Sequence, residues 1–317
     1  MERAVSLTQR ELWINLLLYP THTLPTAAAP VLVGLGLAIH ERVLLLGPAF
    51  VGFLASWLIH VGGVFIDNYE LLVRHPENRE HPELIAALDK GTLSLSVLRG
   101  AIAFCFLAAI ATGPYLLQVA GFGVVILGIL GVASSWSYAG GPLAYARVGL
   151  ADLIFFLMFG VVAVAGTYYV QAAAYHLTGA NWYFVPEALP LKALILGLPV
   201  GALITNVLLI DDIRDRVPDR DKGWRTGAVR FGLRWNRGQI MAFTIFAYLA
   251  PFWFWLGMGF SPWVLLPLLT APQAFTVAHT VCTTEEFKAL FPMTPKGSFL
   301  SLYYGALLGV GVALPSG

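Results

Sequence analysis

The stretch NVLLIDDIRDRVPDRDKGWRTGAVRFG, residues 206 to 232, joins an apolar segment directly to a dense block of charge. Asp211, Asp215 and Asp219 recur every four residues within it. On a helix this spacing stacks three carboxylates on one face, and their mutual repulsion destabilises the helix unless cations neutralise it. Basic neighbours can do so, as can a divalent cation that shares its coordination shell with a phosphate. The stretch therefore predicts a metal and pyrophosphate site where an apolar helix meets water.

A second interpretation of this charge block is a solvated loop on the positive side of a membrane, with an incidental network of salt bridges. Both interpretations place the block at a membrane surface. The four-residue carboxylate period at the end of an apolar helix favours the metal site.

The composition of the chain is typical of a membrane protein. Its 317 residues are 58% hydrophobic and 12% charged, with mean hydropathy +0.74, whereas a soluble domain carries about twice that charged fraction. Apolar runs near the ~20 residues that cross a bilayer core alternate with short polar islands. We predict an all-α integral membrane protein that forms one polytopic domain over residues 1 to 317, without a cleaved signal peptide. The net charge of +1 indicates no bulk attraction to nucleic acid.

Nine apolar spans are predicted, which puts the two ends of the chain on opposite sides of the membrane. Their ranges are 13–38, 44–66, 100–117, 119–137, 151–173, 191–210, 238–257, 262–281 and 298–315. With the N-terminus in the cytoplasm, the inner segments hold all of the 19 Lys and Arg residues except Arg42 and Lys192. Because cytoplasmic loops carry an excess of these residues, every dense polar island is expected on the cytoplasmic side.

A second acidic island lies at the end of the second span, in residues 62 to 91. Asp67 and Glu70 fall on one helical face at the membrane edge. We interpret this pair as a second acidic site on the same side of the membrane as the first, with an ordinary solvated loop as the alternative.

A third polar island lies between spans four and five, in SYAGGPLAYARVGLADL, residues 137 to 153. Gly-Gly-Pro at 140 to 142 predicts a turn next to Tyr138. Asp152 then begins an apolar helix. A carboxylate there can favour the helix N-terminus, but a carboxylate entering a membrane is by default a functional hypothesis.

Two acidic clusters and a basic tail that open into an apolar bundle suit a ligand with a pyrophosphate head and a long hydrocarbon tail. Carboxylates hold Mg²⁺, which bridges phosphate oxygens, while Arg and Lys neutralise the remaining charge. Ionisation of an allylic diphosphate leaves a carbocation, which water would quench. A dry chamber lined by apolar or aromatic side chains is therefore required.

Residues 206 to 232 resemble the second aspartate-rich motif of UbiA-type intramembrane prenyltransferases, most closely the branch that prenylates 1,4-dihydroxy-2-naphthoate in menaquinone synthesis. That motif is similar to Asn-Asn-x-Arg-Asp-x-x-x-Asp followed by Gly-Lys-x-Thr-x-Ala-Val-Arg-x-Gly. The residues in register here are Arg214, Asp215, Asp219, Gly223, Thr226, Ala228, Val229, Arg230 and Gly232. YAGGP, GLAD at 149 to 152 and GTYYVQ at 166 to 171 resemble the same branch. The resemblance covers about residues 12 to 314.

Both family motifs are altered in this chain. The first, Asn-Asp-x-x-Asp-x-x-x-Asp, falls on Ile66, Asp67, Glu70 and Arg74. Its asparagine and last aspartate are therefore absent, and Glu77 or Glu80 are the available substitutes. In the second motif Asp211 and Asp212 replace the paired asparagines, and Trp224 stands where the branch usually has lysine. One Mg²⁺ site is expected to be weakened, rearranged or completed by the two extra aspartates.

The resemblance implies a nine-transmembrane-helix UbiA-type bundle with cytosolic cap loops, in the cell (inner) membrane and in contact with its lipid. It implies Mg²⁺-dependent transfer of a polyprenyl group from polyprenyl diphosphate to an aromatic acceptor, expected to be 1,4-dihydroxy-2-naphthoate. The implied Mg²⁺ ligands are Asp67, Glu70, Asp211, Asp215 and Asp219. The implied binding residues are Asn206, Arg214, Lys222, Arg225 and Arg230. Tyr138 is expected to stabilise charge near the diphosphate, and Asp152 to position or deprotonate the acceptor.

Two other functions remain open at this point. A UbiA-type terpene cyclase would use the same ionisation with the substrate's own double bonds as nucleophile, and the altered first motif supports it. A transporter or lipid carrier would couple ions through its acidic pairs, but the sequence shows no inverted repeat and no acidic residue at mid-membrane depth.

Overall fold

The computed structural model describes residue 8 and residues 23–74, 82–142, 144–177 and 183–315, and within these ranges the chain forms helices and no strand. The helices are α1 (Thr23–His40), α2 (Leu46–Arg74), α3 (Pro82–Asp89), α4 (Leu95–Ala120), α5 (Gly123–Ala139), α6 (Tyr145–Val148), α7 (Ala151–His176), α8 (Leu191–Arg214), α9 (Arg216–Asp221), α10 (Gly227–Phe231), α11 (Leu233–Met258), α12 (Ala271–Thr283), α13 (Phe287–Leu290) and α14 (Met293–Ala313). A 3₁₀ segment, Pro262–Thr270, leads directly into α12, and another covers Pro186–Ala188.

Six helices in the described ranges are long and apolar enough to cross a membrane: α2, α4, α7, α8, α11 and the continuous segment Pro262–Thr283. The segments Leu24–His40 and Gly123–Ala139 are apolar but shorter. These findings confirm an all-α integral membrane protein. Each of the nine predicted spans overlaps a helix, while the number that crosses the bilayer stays a prediction. Residues 13 to 22, the start of the first predicted span, lie outside the described residues.

Helix α8 is the centre of the bundle. In its apolar part 83% of the residues are buried, compared with 28% in α2, α4 and α11. Small residues let α7 approach it closely, since a β-carbon on Gly160 would lie 2.7 Å from the Gly197 carbonyl oxygen and 2.7 Å from the α-carbon of Gly201. Such close contacts between small residues replace the hydrophobic effect as the basis of helix packing in lipid. The buried helix carries the charged block of residues 211 to 222 at its C-terminal end.

The opposite end of the bundle holds the two basic residues predicted to lie outside. Lys192, at the start of α8, forms an ion pair with Glu41 in the turn before α2. Gln171, near the end of α7, accepts a hydrogen bond of 2.7 Å from the backbone N–H of Leu45 in the same turn. The acidic motifs lie at the other ends of α2 and α8. The structure thus separates the two charged ends as the distribution of Lys and Arg predicts.

The carboxylate period continues through a break in the helix. Helix α8 ends at Arg214, and Asp215 has φ −97° and ψ 9° before α9 begins. The backbone N–H of Asp215 still bonds the Asp211 carbonyl at 2.8 Å, and that of Asp219 bonds the Asp215 carbonyl at 2.8 Å. The three aspartates therefore remain one turn apart, although they belong to two helices.

Candidate active site

The two acidic motifs meet around Tyr138, at the C-terminal end of α5. The phenol lies within the electrostatic range of Asp67 from α2 and of Asp211 and Asp212 from α8. The sequence predicted a site residue at Tyr138 and an acidic site on each of these two helices. The structure brings all three together at one end of the bundle.

A run of aromatic rings leads from Tyr138 into the bundle. Ring centroids lie 5.4 Å apart between Tyr138 and Phe155, 4.8 Å between Phe155 and Phe159, and 5.0 Å between Phe159 and His60. Phe155 and Phe159 lie four residues apart on α7, whose residues Phe156–Val162 form a π-helix. Aromatic faces stabilise a nearby cation, so this wall suits a carbocation that is protected from water.

Tyr145, in the short helix α6, supports Tyr138 from the side. Their rings pack edge to face with centroids 5.5 Å apart. Burial raises the pKa of the Tyr145 phenol to about 12, although its hydrogen bond with the Ser134 hydroxyl acts in the opposite direction. Since a raised pKa favours the protonated form, Tyr145 is a neutral ring at physiological pH and acts through packing.

Asp212 is one of two buried aspartates of the cluster, with 6% of its surface exposed compared with 4% for Asp219. The backbone N–H of Gly227, at the start of α10, donates a hydrogen bond to its carboxylate, and its charged neighbours are Asp152, Asp219 and Asp211. Sequence reasoning named Asp212 as a departure from the family motif but did not include it among the site residues. The only sequence signal for Asp212 was its position beside Asp211. Its burial could not be predicted, because it depends on how α7 and α10 pack around it.

Glu70 is connected to the rest of the site through Arg147. Its Oε2 atom lies 2.5 Å from Arg74 Nε and 3.3 Å from Arg147 Nη2. The same Nη2 atom donates to the Ala139 carbonyl at 2.7 Å, and the guanidinium lies 5.8 Å from the centre of the Trp224 ring. Arg147 therefore joins the first acidic motif, the glycine turn and the second motif. No role in the site was predicted for Arg147 from the sequence.

Asp211 and Asp215 share one cation, Arg214. Arg214 Nη1 lies 2.5 Å from Asp211 Oδ1, while Nε and Nη2 bind the Asp215 carboxylate at 2.8 and 2.5 Å. The Thr294 hydroxyl donates to Asp211 at 2.6 Å, and the guanidinium lies 5.8 Å from the centre of the Phe291 ring. The segment from Phe287 onward, which had no predicted role, thus covers this side of the charged block.

Asp219 belongs to a separate ion pair with Lys222. Lys222 Nζ lies 3.2 Å from Asp219 Oδ1, and both side chains are only 6% exposed. The ammonium also lies 4.2 Å from the centre of the Trp224 ring. The tryptophan that replaces the family's lysine therefore lies between two cations, Lys222 on one side and Arg147 on the other.

The basic tail of the second motif packs on the turn before α7. The backbone N–H of Arg225 bonds the Arg147 carbonyl at 2.9 Å, and Arg230 Nη1 donates to the Val148 carbonyl at 3.2 Å. Gly149 has φ +77°, and a β-carbon there would overlap the Arg225 carbonyl. Both arginine side chains are exposed at the mouth of the site.

Asn206 lies deeper in the bundle than the carboxylates. It precedes Asp211 by five residues, about 7.5 Å along the helix axis. Its side-chain amide donates to the Thr244 hydroxyl at 3.0 Å and to the Ile240 carbonyl at 3.4 Å. The side chain borders a small cavity between α8, α11, α12 and α14. Its hydrogen bonds thus join α8 to α11.

The donor chemistry of this cluster fits a divalent cation, since hard cations prefer carboxylate oxygens. The candidate ligands are Asp67, Glu70, Asp211, Asp215 and Asp219, to which the structure adds Asp212. Within the described residues, no three acidic, His or Cys side chains converge at metal-binding distance. Arg214 and Lys222 hold three of these carboxylates in ion pairs, so a cation would share them with those bases. Glu77 and Glu80 lie outside the described residues.

Comparisons with known proteins agree in family and fold. Residues 27–302 match the model of the UbiA prenyltransferase family. The chain is 27% identical over 271 residues to a 1,4-dihydroxy-2-naphthoate octaprenyltransferase of Mycobacterium tuberculosis (strain ATCC 25618 / H37Rv), which covers 86% of this chain and 87% of the relative. It is 27% identical over 313 residues to the enzyme of the same name from Escherichia coli (strain K12), covering 95% and 94%. The apo structure of a UbiA homolog from Aeropyrum pernix K1 superposes with a TM-score of 0.64 at 16% identity, covering 90% and 96%.

Proposed function

We propose, from the premise that this chain belongs to the UbiA prenyltransferase family, that it transfers a polyprenyl group from a polyprenyl diphosphate to 1,4-dihydroxy-2-naphthoate in menaquinone synthesis. The chain is a prenyltransferase of the membrane. The names and coverage of its relatives support this acceptor. The structural observation that carries the proposal is the meeting of both acidic motifs at Tyr138, at the top of an aromatic wall.

The polar groups of the site are arranged to bind and release a diphosphate. Members of this family use a divalent metal, and we propose Mg²⁺, which supplies positive charge to the diphosphate oxygens when it is bound. We propose the carboxylates of Asp67, Glu70, Asp211, Asp215 and Asp219 as its ligands, assisted by Asp212. Lys222, Arg225 and Arg230 then neutralise the leaving diphosphate, while Arg214 keeps Asp211 and Asp215 in place. Asn206 supports this end of α8 from α11.

The chemistry below the diphosphate needs a dry, electron-rich surface. When the allylic carbon–oxygen bond breaks, the diphosphate keeps the electron pair and the prenyl chain carries the positive charge. Tyr138, Phe155 and Phe159 present their rings to this charge and exclude water. A ring carbon of the acceptor then forms the new carbon–carbon bond and loses a proton, and a proton replaces the acceptor's carboxylate, which leaves as carbon dioxide to give the naphthoquinol. Asp152 begins the helix that carries Phe155 and Phe159, and we propose that it orients the acceptor or takes that proton.

Purified protein incubated with Mg²⁺ and a series of polyprenyl diphosphates, with and without 1,4-dihydroxy-2-naphthoate, tests the proposal. Diphosphate release should require the acceptor, and the product mass should be that of a prenylated naphthoquinol. Release without acceptor, together with a cyclic terpene as product, would contradict prenyl transfer and indicate a terpene cyclase. No release in any condition would contradict both prenyl transfer and cyclisation. Removing the metal with EDTA should abolish release, and adding back Mg²⁺ should restore it.

A matched pair of aspartates separates a site carboxylate from a surface carboxylate. Asp219 is 4% exposed, whereas the Asp221 side chain is 68% exposed. Asp219→Ala should lower turnover by at least about 100-fold, which is typical for loss of a group that acts in the transition state. Asp221→Ala should stay within a factor of about two. Undiminished turnover in Asp219→Ala would remove this residue from the proposed site.

We also propose that the site faces the cytoplasm across the inner membrane and that residues 1 to 317 form one domain. The excess of Lys and Arg at the end of the bundle that carries the site supports this orientation. A single cysteine introduced at the exposed Arg220 should react with a membrane-impermeant maleimide in inverted vesicles and not in intact cells. The reverse pattern would place the site outside.

A further inference from the structure

A second buried polar group lies beside the carboxylate cluster, on the first two turns of α11. Asn236 is 0% exposed, and no described residue hydrogen-bonds either atom of its amide. Gln239, three residues further on, has a buried side-chain oxygen that likewise lacks a described partner. The buried Thr226 hydroxyl is in the same condition. Because an unpaired buried amide costs free energy comparable to a lost hydrogen bond, such a group in a native structure requires an explanation.

The Asn236 side chain lies beside Gly227, and the Gln239 side chain lies beside Asp152. A β-carbon at Gly227 would lie 3.0 Å from Asn236 Oδ1 and 3.3 Å from Asp152 Oδ2. Gln239 Nε2 donates to the same Asp152 oxygen at 3.2 Å. The backbone N–H of Gly227 is held by Asp212. Asn236, Gln239 and Asp152 thus form a polar rim directly beside the buried carboxylate of Asp212.

An aromatic pair lies one turn deeper in the bundle than this polar rim. Phe156 follows Asp152 by four residues on α7, and Phe243 follows Gln239 by four residues on α11. Their rings stack with centroids 5.6 Å apart and planes 22° apart. Both helices start at the end of the bundle that carries the acidic motifs, so residues four further along lie deeper on the same face. Where α7 and α11 face each other, the polar rim therefore lies one turn above a pair of stacked aromatic rings, the aromatic floor.

The hydrogen-bond acceptors at the rim favour the aromatic acceptor over the polyprenyl diphosphate. Asn236 Oδ1, Gln239 Oε1 and the Asp152 carboxylate are hydrogen-bond acceptors, and they need a ligand that carries donors. An ionised diphosphate carries no donor for these oxygens. A flat ring with hydroxyl groups supplies both the donors for the rim and a face for the aromatic floor.

We infer that Asn236 and Gln239 bind a ring hydroxyl of the acceptor and determine the preference for a hydroxylated aromatic ring. This inference rests on the proposed function, because it assigns the acceptor subsite of that reaction. The Asn236 amide can accept from one hydroxyl and donate to its oxygen, and Gln239 both accepts from the ring and fixes Asp152. The two residues are therefore positioning and specificity-determining residues.

The experiment compares Asn236→Leu and Gln239→Met with the unaltered protein. Both variants replace an amide by an apolar side chain of similar size. KM for the acceptor should rise about tenfold, the usual value of one hydrogen bond to a buried amide, while KM for the polyprenyl diphosphate stays within a factor of two. The matched control is Ser298→Ala in α14, whose hydroxyl is also buried and also lacks a described partner. It should change neither constant.

Acceptor analogues separate binding from a merely structural role. The unaltered protein and both variants are assayed with 1,4-dihydroxy-2-naphthoate and with the two monohydroxy compounds that lack one hydroxyl each. Loss of a hydroxyl changes the ring's intrinsic reactivity equally in every enzyme, so the ratio between enzymes isolates the contact. In the unaltered protein, removing the hydroxyl that Asn236 binds should lower kcat/KM. In Asn236→Leu, removing the same hydroxyl should lower kcat/KM by about tenfold less.

The outcomes distinguish this inference from the proposed function. If the unaltered protein shows no acceptor-dependent diphosphate release, the proposed function fails, and the inference fails with it. If release is acceptor-dependent but both variants keep the acceptor KM and the hydroxyl preference, only the inference is overturned. Should Asn236→Leu not fold, Gln239→Met decides alone. A thermal unfolding midpoint of Asn236→Leu at or above that of the unaltered protein confirms that the amide does not serve stability.

Discussion

Arg147 and Glu70, 77 residues apart in the chain, form an ion pair with 3.3 Å between Nη2 and Oε2. Arg74 binds the same carboxylate oxygen from the next turn of α2. The two arginines differ in environment, because the side chain of Arg147 is 19% exposed and that of Arg74 is 50% exposed. Arg147 also donates to the Ala139 carbonyl and packs on Trp224. Because Arg147 and Arg74 bind the same Glu70 oxygen, substituting each in turn tests whether Arg147 joins the two acidic motifs.

Arg147→Met should destabilise the protein by about 1 to 3 kcal/mol, because it leaves the half-buried Glu70 and the Ala139 carbonyl without this donor. Arg74→Met should cost under about 1 kcal/mol, since exposed ion pairs contribute little. Thermal unfolding in detergent, followed by far-UV circular dichroism, measures both. Equal losses in the two variants would show that Arg147 does not join the motifs.

Lys222→Met should raise KM for the polyprenyl diphosphate by about tenfold or more, because it removes a buried ammonium from beside Asp219 and charge-assisted contacts with a phosphate are worth roughly 1.5–3 kcal/mol. Steady-state assays at saturating acceptor give this constant. Arg220→Met is the control, since its side chain is 69% exposed; its KM should change by less than about twofold. A larger effect at Arg220 than at Lys222 would move the diphosphate contact to the surface.

Asp212→Asn tests whether the enclosed carboxylate takes part in metal binding. Without metal, the variant should unfold about 2 to 4 °C higher, because one of four neighbouring carboxylates no longer repels the others. With Mg²⁺, the unaltered protein should gain more stability than the variant, since the ion binds the native site. Melting curves in EDTA and in Mg²⁺ measure both shifts. An identical Mg²⁺ shift in the two proteins would exclude Asp212 as a ligand, and Asp221→Asn provides the surface control.

Gly160→Ala should destabilise the bundle by about 1 to 3 kcal/mol, because its β-carbon would meet the backbone of α8 at 2.7 Å and force α7 and α8 apart. Gly128→Ala, in α5, meets no atom within 4 Å and should be neutral or stabilising by up to about 1 kcal/mol. Chemical or thermal unfolding in the same detergent compares them. A harmless Gly160→Ala would show that α7 and α8 can separate without loss of stability.

The sequence by itself determined the class of protein and its helices, and it predicted candidate residues for the site. Apolar runs of span length must become helices in lipid, because only a helix satisfies its own backbone there, so each predicted span overlaps an observed helix. The four-residue spacing of Asp211, Asp215 and Asp219 is a local property, and their backbone hydrogen bonds preserve it. Tyr138 and Asp152 could be proposed as site residues because a turn and a helix start are also local signals.

Only the tertiary structure decided which polar groups face each other. Asp212 is enclosed because α7 and α10 converge on it, and Asn236 lies against Gly227 of α10 without a hydrogen-bond partner among the described residues. Arg147 reaches Glu70 across 77 residues, and Arg214 is covered by the ring of Phe291. Burial and pairing between distant residues depend on how helices pack, and side-chain spacing along one helix carries no information about the helix opposite. For this reason the sequence could name candidate site residues, whereas it could not predict how they are arranged.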